Sequence, residues 1–280
     1  MIPPEVNNTG YPIADVVARF QNAPHPKLVL AYIDVGQVED YRTYWQPGWA
    51  PGNPGWIAGE DPDGWAGNYP VAFWYDDYQA IWLGPAGYLQ GILDAGFDGV
   101  YLDWIEAYSD ESVIRIAEQD DVDPMQEILW WVEDIANFGR AQDPEFLVIG
   151  QNAAELVEHE AYTQTVDAIA QEQVWFDGAA DNDPSGDCPL PRTEDKVESD
   201  AYVTQLSAPC RELYEMFPDS ILHVSSESYL YYLNIAHAQG IPVFTVDYSE
   251  NIAWVYQTSR ELGFIPFVSN RALDQFHPAQ

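Results

Sequence analysis

Gly96-Phe97-Asp98-Gly99-Val100-Tyr101-Leu102-Asp103-Trp104-Ile105-Glu106-Ala107-Tyr108 holds a turn, an apolar strand and an acid in direct succession. Gly96 and Gly99 announce the run, and Val100, Tyr101 and Leu102 give it a β-branched start and no polar face. That pattern reads as a parallel strand covered on both sides. The run stops at Asp103. A carboxylate at the C-terminal tip of an inner strand lies where barrel enzymes keep their chemistry. An Asp in that place also serves as a cap of the following helix, so the other strand ends must decide.

Working outward, apolar runs predict strands at 28–35, 69–74, 98–103, 145–152, 167–175, 241–248 and 264–268, with Pro70 at the edge of the second. Helical periodicity fills the gaps at 13–21, 78–95, 124–141, 227–239 and 250–262, and Gly96 and Gly240 stand where C-caps belong. Repeated strand–helix alternation predicts an α/β fold with a parallel sheet. Polar residues at nearly every strand tip favour a (β/α)8 TIM barrel over an open sheet. A barrel of this class has eight strands. The missing one belongs before the first helix, where residues 1–12 hold no strand pattern, so the barrel is incomplete or irregular there. The expectation is one domain over 1–280, with long loops inserted at about 46–68 and 177–200 on the C-terminal face. No Gly-x-Gly-x-x-Gly follows a strand, which leaves dinucleotide binding unsupported.

Composition narrows the function. The chain carries 10 basic against 46 acidic residues, a formal charge of −36. Nucleic acid is excluded as a partner, because phosphate contact needs a basic surface. No apolar run is long enough to cross a membrane. Lys27 and Lys196 are the only lysines, and the acids are spread along the whole chain. That favours adaptation to high salt, which screens self-repulsion, over a funnel for a cationic substrate. A halophilic chain loses stability at low salt; a melting temperature that stays flat between low and molar salt rejects this reading. Cys188 and Cys210 are the only cysteines: either one disulfide made in an oxidising compartment or two unpaired thiols. The N-terminus lacks a basic, then apolar, leader pattern, so export would require a signal absent from this chain. The expectation is an extracellular, monomeric protein.

The strand tips carry the chemistry. They supply Asp34, then Asp103 with Glu106 beyond it, then Gln151 and Asn152, then Glu172, then Asp247 with Tyr248. Glycoside hydrolysis needs such a set: one carboxylic acid protonates the leaving oxygen, and a second carboxylate attacks the anomeric carbon or activates water. Asp103 and Glu172 are the expected catalytic pair, each a lone acid in an otherwise apolar strand. Asp34, Tyr32, Trp74, Glu106, Asn152, Asp247 and Tyr248 are the expected sugar contacts. Each has a plainer alternative: Asp34 as a cap or partner of Arg42, Glu106 as a solvated helix residue, Asp247 as a strand-end hydrogen-bonding group. Trp45, Trp49, Trp56, Trp104 and Trp175 offer flat faces for sugar rings or, as simply, core filling.

These residues resemble glycoside hydrolase family 114, the endo-α-1,4-polygalactosaminidase-like barrels. Tyr32-Ile33-Asp34-Val35-Gly36 with Glu39, Tyr41-Arg42 and Tyr44-Trp45 resembles the N-terminal signature of that family. The stretch 96–108 resembles its Gly-Phe-Asp-Gly motif ending in Asp, and Gln151-Asn152 its polar strand end. Residues 167–176 and 241–248 resemble its Asp-x-aliphatic-x-x-Glu and Pro-Val-Phe-x-x-Asp-Tyr strands. The similarity covers about 28–270, and the ordered set is specific where one motif alone is weak. It implies hydrolysis of α-1,4-linked galactosamine-rich polysaccharide without metal or cofactor. Asp103 would be the nucleophile and Glu172 the general acid/base, with retention of configuration and internal cleavage. Two other classes compete: a barrel that binds carbohydrate without cleaving it, and a metal-dependent hydrolase. The histidines show no H-x-H or H-E-x-x-H spacing, which counts against the metal.

Overall fold

The computed structural model describes residues 11–273 except 85, 178–186 and 219, together with 275 and 277. Contacts divide it into two compact units, one up to Ala153 plus His159–Asp167, the other Ala154–Glu158 plus the chain from Ala168 onward. Residues 178–186 of the expected second loop, and residues 1–10 of the segment where the missing first strand belongs, lie outside the described residues.

The first unit opens with α1 (Ile13–Gln21), then β1 (Leu30–Asp34), β2 (Gln37–Glu39) and β3 (Asn68–Pro70). It continues through α2 (Asp76–Leu83), α3 (Tyr88–Asp94), β4 (Gly99–Asp103), α4 (Glu111–Asp120), α5 (Pro124–Arg140), β5 (Leu147–Gln151) and α6 (Glu160–Thr165). β4 lies between β1 and β5, and both pairings are parallel. The register sets Asp34 beside Asp103, so two acids end neighbouring strands at the same level. Val100, Leu102, Val148 and Ile33 are buried here. Burying such side chains contributes about 1.5–3 kcal/mol each before entropy is counted. Gly96 ends the helix before β4 with φ +79°, the left-handed turn that a side chain resists.

The second unit contains β6 (Ala168–Glu172), β7 (Phe176–Asp177), β8 (Cys188–Pro189), α7 (Asp200–Gln205) and α8 (Ala208–Met216), then α9 (Ser226–Ala238), β9 (Val243–Tyr248), α10 (Ile252–Glu261) and β10 (Ile265–Ser269). β9 lies between β6 and β10, again parallel. The segment between β8 and α9 builds its own small core from Leu190, Tyr202, Leu206 and Leu222. The Cys188–Cys210 disulfide sits in it, with Cα atoms 5.4 Å apart, so the thiols are bonded.

The chain is therefore α/β with parallel strands, as the sequence predicts. One run behaves differently. Residues 69–74 do not enter a parallel sheet; β3 pairs antiparallel with β2 in a separate two-stranded sheet. Pro70 has no N–H to give a sheet interior. Six parallel strands, three per unit, stand among the described residues, against the eight of a closed barrel. The helix expected at 78–95 is two, because the chain leaves helical geometry at Gly84 and restarts after Gly87. The loop at 46–68 is not a loose insertion: Trp56 and Ile57 are buried, and Ile57 bridges Val71. No helix among the described residues is long and apolar enough to cross a membrane.

Candidate active site

In the first unit the tips of β1 and β4 converge on Asp103. Tyr32 points from the same face of β1 as Asp34, two residues back, and its phenol donates to Asp103 Oδ2. The other oxygen, Oδ1, accepts the backbone N–H of Trp104 at 2.9 Å. Burial, then the charges of Asp103 and Asp34, push the Tyr32 phenol well above its ordinary range, so it is a permanent donor. Trp104 takes a left-handed backbone, φ +58°, to make this turn. Gly36 permits it: a Cβ there would overlap the Trp104 carbonyl oxygen.

Asp34 does not pair with Arg42. It is 1% exposed and accepts the N–H groups of Gly36 (3.2 Å) and Gln37 (2.8 Å), tying down the turn after β1. Burial, then Asp103 and Glu39, raise its carboxyl well above the usual range. Arg42 instead grips Glu39 with two hydrogen bonds, of 2.6 and 2.9 Å. One strand over, Asn152 donates to Glu106 Oε1 at 3.1 Å, so Glu106 is fixed rather than solvated. Asn152 and Ala153 are also left-handed, φ +58° and +47°.

The second unit repeats the arrangement around Glu172. β6 places it opposite Val246, and Tyr248, two residues on, donates its phenol to Glu172 Oε1. Arg271 lies over the Tyr248 ring at 5.0 Å. Gln173 follows with φ +54°. Thus three successive strand tips are each followed by a strained, non-glycine residue, a cost of order 1–3 kcal/mol apiece that clusters at functional sites.

Asp247 is 0% exposed and takes the N–H groups of Trp175 (2.7 Å) and Phe176 (3.1 Å) on Oδ1. Its Oδ2 is buried without a hydrogen-bond partner. Arg192, which no motif marks, stacks on Trp254 at 4.2 Å and on Trp175 at 5.2 Å, and its charge acts on Asp247. Burial pushes Asp247 up to about 7, against the lowering effect of its two N–H donors and Arg192.

That shift has a stability consequence. The folded value of Asp247 exceeds that of an unfolded aspartate, roughly 3.9. The folded protein therefore holds the extra proton between the two values, and stability falls as pH rises from about 4 to about 7. Asp34 acts in the same direction. The expected melting temperature is higher near about pH 5 than near about pH 8. Asp247→Asn, which keeps the shape without the charge, should flatten the slope in a pH series of thermal melts. A variant that keeps the full slope removes Asp247 as its source.

The structure thus brings Tyr32, Asp34 and Asp103 together, Glu106 with Asn152, and Glu172 with Tyr248 and Asp247. Asp34 and Asp247 are buried and accept backbone N–H groups, and the buried Tyr248 donates its phenol to Glu172. Trp74 is tied elsewhere: its indole donates to Asp120 at the end of α4, at 2.9 Å, and its ring meets Phe73 and Tyr75. Trp56 and Trp175 are core residues. Among the described residues no group of three His, Cys, Asp or Glu side chains could hold a metal ion.

A sequence model of glycoside-hydrolase family GH114 matches residues 12–280. An uncharacterized protein of Deinococcus radiodurans is 34% identical over 274 residues, which is 96% of this chain and 71% of that protein. An uncharacterized protein of Thermotoga maritima is 33% identical over 152 residues, 52% of this chain, and the match spans 44% of its own length. The fold is similar to the glycoside hydrolase domain of PelA from Pseudomonas aeruginosa (TM-score 0.56, 16% identity, 88% of this chain and 79% of that one). It is also similar to Aspergillus fumigatus Ega3, solved in complex with galactosamine (TM-score 0.59, 15% identity, 95% and 83%). An α/β scaffold with strained, acid-bearing strand tips and a family match along nearly its whole length leads to one assignment: the chain belongs to glycoside-hydrolase family GH114 and is a glycosidase.

Proposed function

We propose that this chain is an endo-acting, retaining hydrolase of α-1,4-linked galactosamine-containing polysaccharide. Asp103 is its nucleophile and Glu172 its general acid/base. The observation that carries the assignment of roles is the hydrogen bonding of Asp103: both oxygens accept, one from a phenol and one from a main-chain amide. Two donors stabilise an anion, and a nucleophile must stay anionic. Support for the sugar comes from the Ega3 structure, which contains galactosamine, and from the −36 charge, which suits a polymer bearing ammonium groups.

In the first step a carboxylate oxygen of Asp103 bonds to the anomeric carbon while Glu172 gives its proton to the departing glycosidic oxygen. In the second, Glu172 takes a proton from water, whose oxygen displaces Asp103 and restores the original configuration. Tyr32, Glu106 and Asn152, which are half-buried, make the sugar contacts, and Trp74 an outer one. Asp34, Asp247 and Tyr248 hold the acids and their turns. A single family match spans residues of both units. The protein works as a secreted monomer in a salty milieu, in keeping with its disulfide and acidity.

Proton NMR of fresh digests of partly deacetylated α-1,4-galactosaminan tests this. Oligosaccharides of mixed length bearing new α-anomeric ends are expected first. A first-formed β-anomer rejects retention, monosaccharide alone rejects internal cleavage, and an intact polymer rejects the substrate.

A further inference from the structure

The first unit has a groove of about 890 Å³ that none of the strand-tip acids lines. It runs between the segment after β2 and the α2–α3 pair, and its walls include Tyr44, Trp45, Trp49, Trp56 and Tyr88, with Asp77 exposed among them. Trp45 stacks on Tyr69 at 5.1 Å, which anchors it. Trp49 meets Trp45 at 74° and Trp56 at 83°, so it stands as an upright between two indoles. Tyr44 closes the far side edge-on to Tyr88, 5.2 Å away. Its phenol oxygen also accepts the backbone N–H of Glu39 at 3.0 Å, which ties this wall to the end of β2.

Core packing accounts for Trp56, which is buried against Tyr78. It does not account for Trp45 and Trp49, which are half-buried and keep contact with solvent. Rigid indoles with polar neighbours are the means by which proteins hold sugar rings: the apolar ring faces lie on the indole, and the hydroxyls and amines reach polar groups at the edge. Thr43, Gln46 and Asp77 supply that edge. An ammonium group near an indole face gains a further cation–π attraction, and Asp77 opposes it with a negative charge.

We propose that this groove is a second carbohydrate site, which grips a stretch of amino-sugar polymer outside the cleavage site. The proposal rests on the galactosamine reading of the substrate. The site does no chemistry; it keeps a long polymer attached between cuts, so its effect is confined to long chains.

Two variants test it in the full-length protein. Trp49→Ala removes the upright. Ala80→Arg, at an exposed position on the α2 wall, fills the groove with a bulky positive group and leaves the core untouched. Affinity electrophoresis in gels containing partly deacetylated galactosaminan reads binding without requiring turnover. Both variants should weaken binding about tenfold, equivalent to roughly 1.4 kcal/mol. KM on the polymer should rise by a similar factor, with kcat/KM on a short galactosamine oligosaccharide unchanged. Binding and polymer KM that both stay within twofold of wild type overturn the proposal. So does an equal loss on the short oligosaccharide, which makes the groove part of the cleavage site. A wild type that is dimeric by light scattering and monomeric as Ala80→Arg also overturns it, since the groove is then an interface between copies. Failure of the substrate reading shows differently: the wild type then neither binds nor cleaves the polymer.

Discussion

Asp103→Asn is expected to lower kcat on the polymer by on the order of 10⁴-fold or more. The amide matches the carboxylate in shape and can still accept one of the two hydrogen bonds that now converge on it from Tyr32 and Trp104. What it lacks is the charge and the lone pair that form the glycosyl–enzyme bond. KM should move little, because the sugar contacts stay in place. Asp103 is half-buried, so the change should leave the melting temperature close to wild type, which separates lost chemistry from lost structure. In Asp103→Gly, which vacates that face, a small anion such as azide should restore turnover by attacking there, giving a product of inverted configuration. A variant retaining kcat within tenfold of wild type ends the case for Asp103 as nucleophile.

Glu172→Gln should cost about 10²–10⁴-fold on the polymer, the span of general acid catalysis. Its pattern across substrates matters more than its size. A sugar alcohol is a poor leaving group and needs the proton, whereas an aryl glycoside with a good leaving group does not. First-step rates on an aryl galactosaminide should therefore survive in this variant while the second step, which needs a base, stalls. A burst of phenol followed by near-zero steady-state release is the expected trace. Equal losses on polymer and aryl substrate reject Glu172 as the acid and leave it a binding residue. Tyr248→Phe removes only the phenol that Glu172 accepts and provides a milder companion.

Much of this is legible in the sequence. Apolar runs announce β1, β4, β5, β6, β9 and β10 because a strand covered on both faces must be apolar at every position, and that signal is local. The acids that end β4 and β6 stand out for the same reason. The apolar residues at 69–74 suggest a central strand, but Pro70 withholds the N–H that such a strand requires. α7 and α8 were missed since their burial is against one another and the disulfide, a context with no periodic trace in so short a stretch.

The sequence by itself determined the α/β class, the positions of the six parallel strands, and the identity of the two acids worth testing. Each follows from periodicity, charge or the end of an apolar run, which depend on neighbours along the chain. Only the tertiary structure decided what the remaining polar residues do. Asp34 and Asp247 look like sugar ligands on paper, yet both are buried on main-chain N–H groups from residues that fold back over them. Tyr32 and Tyr248 each supply a phenol to an acid on the adjacent strand, Arg42 prefers Glu39 to Asp34, and Arg192 comes to rest on Trp254. Hydrogen bonds act over about 3 Å between groups that can be dozens of positions apart in the chain. Which donor meets which acceptor is set by strand register and packing, and spacing along the chain does not encode it.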